Sequence, residues 1–146
     1  MFDKVTKSIR VLSASSVEKA NSGHPGMPLG MADVGTVLFK NFLKITNRNP
    51  NWINRDRFVL SAGHGSALLY SLLHFNGFKI SIDDMKSFRQ LNSKTAGHPE
   101  LDADIGIDIT TGPLGQGFAT GVGLALAETY LSEILGNEII DHYVYG

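Results

Sequence analysis

Three of the chain's five histidines directly follow a glycine. These are His24 in "NSGHPGMPLG", His64 in "SAGHGSALLY" and His98 in "TAGHPE". Glycine frees the preceding backbone to adopt dihedrals closed to other residues, so the next ring can be aimed out of a turn. An imidazole donates and accepts hydrogen bonds and titrates near neutrality, which suits it to moving protons or gripping phosphate and hydroxyl oxygens. An ordinary turn histidine explains any one of the three; the recurrence is what points to a site. His74 and His142 lack this context and are expected to be a helix or core residue and a polar strand start, respectively.

A second constellation is "TTGPLGQG", Thr110 to Gly117. It has the form of a loop opening a helix, where free N–H groups and the helix dipole favour an anion. It is neither the Walker pattern nor the dinucleotide fingerprint. A tight turn that lets the helix approach its neighbour explains the same glycines. A third, "HPELDADIGID", crowds His98, Glu100, Asp102, Asp104 and Asp108. Its spacing fits no calcium loop, so a solvated acidic loop is preferred to a metal site.

The elements that must position these residues read as alternating helices and strands. Val5, Ile9, Leu12 and Ser16 share one helical face, which predicts an amphipathic helix from Phe2 to Ala20. "NSGHPGMP" interrupts it. Pro28 suits the first turn of a second helix, for which Met31, Val34, Leu38 and Phe42 are the expected buried stripe. "NRNPNW" is a loop, and Arg57 to Ser61 a short strand. That strand leads through Gly63-His64-Gly65 into "SALLYSLLHFNG", a helix apolar on most sides that ends at Gly77. Ser81 or Asp83 caps a short helix. Asn92 to Thr111 is expected to be mostly loop, with "GIDITT" as a short extended piece. A long helix then runs to Gly136, and a strand covers His142 to Tyr145. This order predicts an α/β fold with a parallel sheet flanked by helices, and the three Gly-His loops and "GPLG" gathered at one sheet edge.

Composition narrows the classes. The 146 residues suffice for one modest domain, 42% are hydrophobic and 18% charged, so a core is expected. A net charge of −1 argues against a nucleic-acid binder. With no cysteine there is no disulfide, thiolate zinc site or thiol catalysis. No stretch approaches the roughly 18 apolar residues of a membrane span, and the N-terminus lacks a signal-peptide core. A cytoplasmic protein without membrane or nucleic-acid partners is expected.

Taken in order, "KANSGHPGMPLGMADV", "WINRDRFVLSAGHGSALLYSLLHFNG", "FRQLNSKTAGHPE" and "TTGPLGQGFATGVGLALAE" resemble successive signature blocks of the transketolase N-terminal domain. The resemblance covers nearly the whole chain, 1–146. The related enzyme that makes deoxyxylulose phosphate shares the early Gly-His but differs in the later blocks. It implies the thiamine diphosphate-binding fold and a transferase of the pentose phosphate pathway. That enzyme moves a two-carbon ketol unit from a ketose phosphate to an aldose phosphate, with the difficult chemistry carried by the cofactor. Carried over by motif, His24 lies near the reacting carbonyl of the sugar and assists proton movement, and His98 binds the donor's terminal hydroxyl. His64 binds the cofactor's diphosphate, and Gly112, Pro113 and Leu114 hold its rings. Sugar phosphates as substrates and a homodimer in the full-length protein are implied as well.

Two departures stand out. Ala96 replaces the family's usual proline before Gly97-His98. The family's Gly-Asp-Gly and later asparagine, which bind magnesium (or calcium), and the second domain with its activating glutamate do not occur in this sequence. The chain is therefore expected to be an N-terminal fragment, inactive alone, with metal ligands lying beyond it. Two other readings remain open: a non-catalytic binding or regulatory module with a transketolase-like fold, and a small zinc hydrolase built on His24, His64 and His98.

Overall fold

The computed structural model describes residues 2–146. Helix α1 spans Phe2–Ala20 and α2 spans Gly26–Asn41. Strand β1 covers Arg57–Phe58, and a 3-10 turn at Gly63–Gly65 runs directly into α3, Ser66–Phe75. Helix α4 is Ile82–Lys86, α5 is Gln116–Leu135, and β2 is Val144–Tyr145. The fold is mostly helical. Its sheet consists of β1 and β2, paired in parallel with Arg57 opposite Val144 and Phe58 opposite Tyr145. The parallel pairing expected from the sequence is present, but both strands are shorter than expected. "GIDITT" forms no strand; a single bridge joins Asp102 to Ile107 around a 3-10 turn.

Helix α3 is the centre of the core. Its residues from Ser66 to Leu73 are all buried, which is why the segment is apolar on every side rather than striped. Ile9, Phe39, Phe78, Met85 and Phe88 pack with it in one cluster, and fully burying each such side chain contributes about 1.5–3 kcal/mol. Hydroxyls lock the helices in register where side chains are small. Thr6 donates to Thr36, and Ser13 meets Ser71 at 3.0 Å. Gly77, at φ 77°, ends α3, with the Phe78 N–H donating to the Leu73 carbonyl. Ser81 caps α4 in a reciprocal pair with Asp84.

Helix α2 corrects the sequence reading. Its buried residues are Pro28, Ala32, Gly35, Thr36 and Phe39. Of the expected stripe, Met31, Val34 and Phe42 are exposed and Leu38 is half-buried. The helix is apolar on both sides, so periodicity alone could not choose the inner one. Close approach decides it: a Cβ on Gly35 would stand 2.9 Å from Leu72 Cδ1, so the small-residue face turns toward α3. Helix α5 is likewise apolar all round, yet only Gly117 is buried.

A polar clasp joins the sheet to the loops. The buried Asp56 carboxylate accepts the backbone N–H groups of Lys44 and Tyr143. Asp108 pairs with Arg55 at 2.6 Å and accepts the Phe58 N–H. Burial pushes the Asp108 carboxyl up, against the pull of Arg55.

Candidate functional site

The first Gly-His pair sits where α1 is brought to a stop. The Ser22 N–H donates back to the Val17 carbonyl, and Asn21 adopts φ 47°. Gly23 follows at φ 132°, a conformation that side chains rarely tolerate, packed against Val17 and Phe88. His24 emerges from this corner exposed, immediately before Pro25 caps α2.

His64 lies in the 3-10 turn between β1 and α3, and its ring meets that of His24 edge to face, centroids 5.0 Å apart. The flanking glycines are there for space. A Cβ on Gly65 would collide with Met27 of α2, and one on Gly63 would stand 2.8 Å from Thr111 Oγ1 and 2.9 Å from the Gly112 nitrogen.

His98 is exposed on a loop that α3 holds from beneath. Ser66 donates to the Gly97 carbonyl at 2.8 Å, and Tyr70 donates to the Ala96 carbonyl at 2.9 Å. Burial above all, with the Glu100 charge, raises the Tyr70 hydroxyl well above its ordinary value, so it stays a protonated donor. The His98 ring faces Gly112, where a Cβ would lie 3.8 Å from its Cδ2 and Cγ. A cavity of about 520 Å³ opens beside it, lined in part by Ser22, Arg89, Gln90, Gly97 and His98.

Gly112, Pro113 and Leu114 lead into α5 through Gly115 at φ 89°. Leu114 is 77% exposed. The N-terminus of α5 is partly occupied by the protein itself: Ser61 Oγ accepts the Phe118 N–H at 2.8 Å, and a Cβ on Gly117 would stand 2.6 Å from Ser61 Cα. Close packing therefore accounts for Gly117. Thr111 Oγ1 is buried without a protein partner.

The structure thus brings His24 and His64 together and lays the His64 and His98 loops against Thr111–Gly112. The acidic run disperses. Asp102 caps the 3-10 turn, Asp104 accepts from Asn51, and Asp108 faces Arg55. Among the described residues no group of three or more His, Asp or Glu side chains could hold a metal ion, so the zinc reading lacks its ligand set. His74 is a half-buried helix residue bonded to the Ile80 carbonyl, and His142 lies just before β2.

Sequence reasoning passed over Arg89. Its Nη2 lies 3.5 Å from His24 Nδ1, its Nη1 donates to Ser22 Oγ at 2.9 Å, and its backbone takes φ 61°. No local motif marks it, because its partners lie 65 and 67 residues away.

Residues 2–146 match the family described as transketolase, thiamine diphosphate binding domain. The chain belongs to that family. It is 56% identical to the transketolase of Bacillus subtilis, over 98% of this chain and 22% of that protein. The crystal structure of transketolase from Campylobacter jejuni superposes with a TM-score of 0.94 at 53% identity, covering 99% of this chain and 22% of that one. A Pichia stipitis transketolase in complex with sedoheptulose 7-phosphate superposes with a TM-score of 0.92 at 47% identity, over 99% and 22% of the two chains. The chain therefore spans about a fifth of the length of these relatives. None of its helices is long and apolar enough to cross a membrane among the described residues.

Proposed function

We propose that this chain forms the diphosphate-binding portion of a transketolase, which transfers a two-carbon ketol unit from a ketose phosphate to an aldose phosphate. One observation carries the reading: the His64 and His98 loops both pack on Thr111–Gly112, fitted at Gly63 and Gly112 where a side chain is lacking, and the His24 ring meets that of His64. The Pichia stipitis relative, with its bound sugar phosphate, supports a sugar phosphate as substrate.

The residues present fit thiamine diphosphate. The buried, unpartnered Thr111 hydroxyl, the Gly112 backbone and the exposed apolar Leu114 combine polar and apolar groups on one short segment, and the Gly63 backbone packs closely against it. When bound, the cofactor supplies the reactive carbon and the electron sink. His64 holds the diphosphate. Gly112, Pro113 and Leu114 hold the rings, the first two through backbone groups and Leu114 through its side chain. His24 moves a proton at the sugar's reacting oxygen, and His98 orients the donor through its terminal hydroxyl.

Magnesium belongs to this reading as the diphosphate's counter-ion, with ligands outside residues 2–146. The two-stranded sheet is the start of a larger parallel sheet flanked by helices. The exposed apolar faces of α2 and α5 are covered by the remainder of the enzyme and by a second subunit, in a cytoplasmic homodimer.

The test is a chimera in which residues 1–146 replace the matching segment of Bacillus subtilis transketolase. Ketol transfer by the chimera and none by the 146-residue chain alone is the expected result. A folded chimera that binds cofactor but transfers nothing would instead favour a non-catalytic module.

A further inference from the structure

Arg89 is held at a cost. It takes φ 61°, the left-handed region that a non-glycine residue seldom occupies, and its Nε–H is buried without a partner. Such costs persist where the surroundings over-determine a conformation. Here the Arg89 N–H donates to the Thr95 carbonyl at 2.9 Å, and the guanidinium lies 5.8 Å from the Phe88 ring centroid. Gly97 leaves room for it, since a Cβ there would stand 3.1 Å from Arg89 Nε. The guanidinium is therefore wedged between the loop that carries His24 and the loop that carries His98.

Its contact with His24 is one-directional. A guanidinium has only donors. The ring nitrogen facing it, Nδ1 at 3.5 Å, must accept, which leaves the proton of the neutral ring on Nε2. Ser22 sets the aim by accepting from Nη1 at 2.9 Å.

We propose that Arg89 is a positioning residue that fixes the His24 imidazole in the Nε2–H tautomer and links the His24 and His98 loops. What that proton does in the reaction rests on the functional reading above; which nitrogen carries it does not. For a sugar oxygen bound on the Nε2 side, His24 is then a ready donor rather than a ring exchanging between two forms.

Nitrogen-15 NMR of the 146-residue chain with labelled histidine tests this without cofactor or sugar. In the wild type, His24 Nδ1 should resonate as a fully unprotonated, hydrogen-bonded nitrogen. In Arg89→Ala it should move toward the average of the two neutral tautomers, with Arg89→Lys between. Where Arg89→Ala disturbs the fold, Ser22→Ala, at an exposed loop position, should shift the same signal in the same direction while His74 stays fixed. A proton on His24 Nδ1 in the wild type, or a signal identical in wild type, Arg89→Ala and Ser22→Ala, would overturn the proposal. In the chimera, Arg89→Ala should lower kcat and leave cofactor affinity unchanged, and added guanidinium ion should restore part of the loss. Failure of ketol transfer by the unmutated chimera would count against the functional reading and leave the spectra untouched.

Discussion

Gly63 and Gly112 are fitted so closely that a Cβ on Gly63 would stand 2.9 Å from the Gly112 backbone nitrogen. The obstructing atoms belong largely to backbone, so neither loop yields easily. Gly63→Ala should lower stability by about 1–3 kcal/mol and weaken thiamine diphosphate binding in the chimera, read by urea denaturation and calorimetry. Gly123→Ala is the control. Nothing lies within 4 Å of a Cβ there, in mid-helix, and the change should stabilise by up to about 1 kcal/mol.

His64 and His98 should separate by what rescues them. Loss of a charge-assisted hydrogen bond in His64→Ala should cost about 1.5–3 kcal/mol, roughly tenfold to a hundredfold in cofactor affinity. Excess cofactor should recover the rate. His98→Ala should keep its cofactor affinity and resist that rescue. On a donor lacking the terminal hydroxyl, the wild type should lose far more efficiency than His98→Ala. Equal losses would show the two assignments to be wrong.

Tyr70 supports His98 from below through the Ala96 carbonyl. Tyr70→Phe removes the hydroxyl and leaves the ring, so stability should fall by about 1 kcal/mol. The effect on catalysis should appear in the KM for the donor and not in cofactor affinity. An unchanged donor KM would show that the loop needs no such support.

Leu114 allows structure and function to be told apart. Because it is 77% exposed, Leu114→Ala should change the Tm-derived stability of the chain by no more than about 0.5 kcal/mol. In the chimera it should still weaken cofactor binding several-fold. Loss of stability without loss of affinity would remove it from the site.

His142 should govern part of the acid response. Burial first, then the Arg57 charge, holds its imidazole below the ordinary value of 6.5; Arg55 adds to this, and Glu128 and Asp56 oppose it. A base depressed in the native state binds fewer protons there than in the unfolded chain. Its contribution is therefore fully present above the ordinary value and is lost as pH falls through the native one. Urea midpoints should drop between pH 7 and pH 5, and His142→Asn should flatten that slope. A slope of the opposite sign would refute it.

Local signals carried much of the fold. Ser81 with Asp84 is a cap written in four residues, and α3, apolar but for Ser66, Ser71 and His74, announces burial on all sides. What could not be read is whatever depends on distant partners. The inner face of α2 was decided by Leu72 lying over Gly35. Asp108 read as one acid among several, and its salt bridge to Arg55 lies in the fold, not in the spacing. The Gly-His pairs were visible as loops, while the cation beside His24 was not, because Arg89 reaches it across 65 positions.

The clasp around β1 and β2 also has a place in time. Asn54 and Asp56 accept N–H groups from Asp141 and Tyr143, in each case 87 residues further along. Closing a flexible loop of that length costs about 4 kcal/mol in chain entropy, and contacts across such separations slow folding. His64, His98 and Gly112 all lie inside that loop. A nascent chain that has not yet reached Asp141 already carries every histidine of the pocket, yet the clasp that ties β1 to β2 around most of it can close only once Tyr143 has been made.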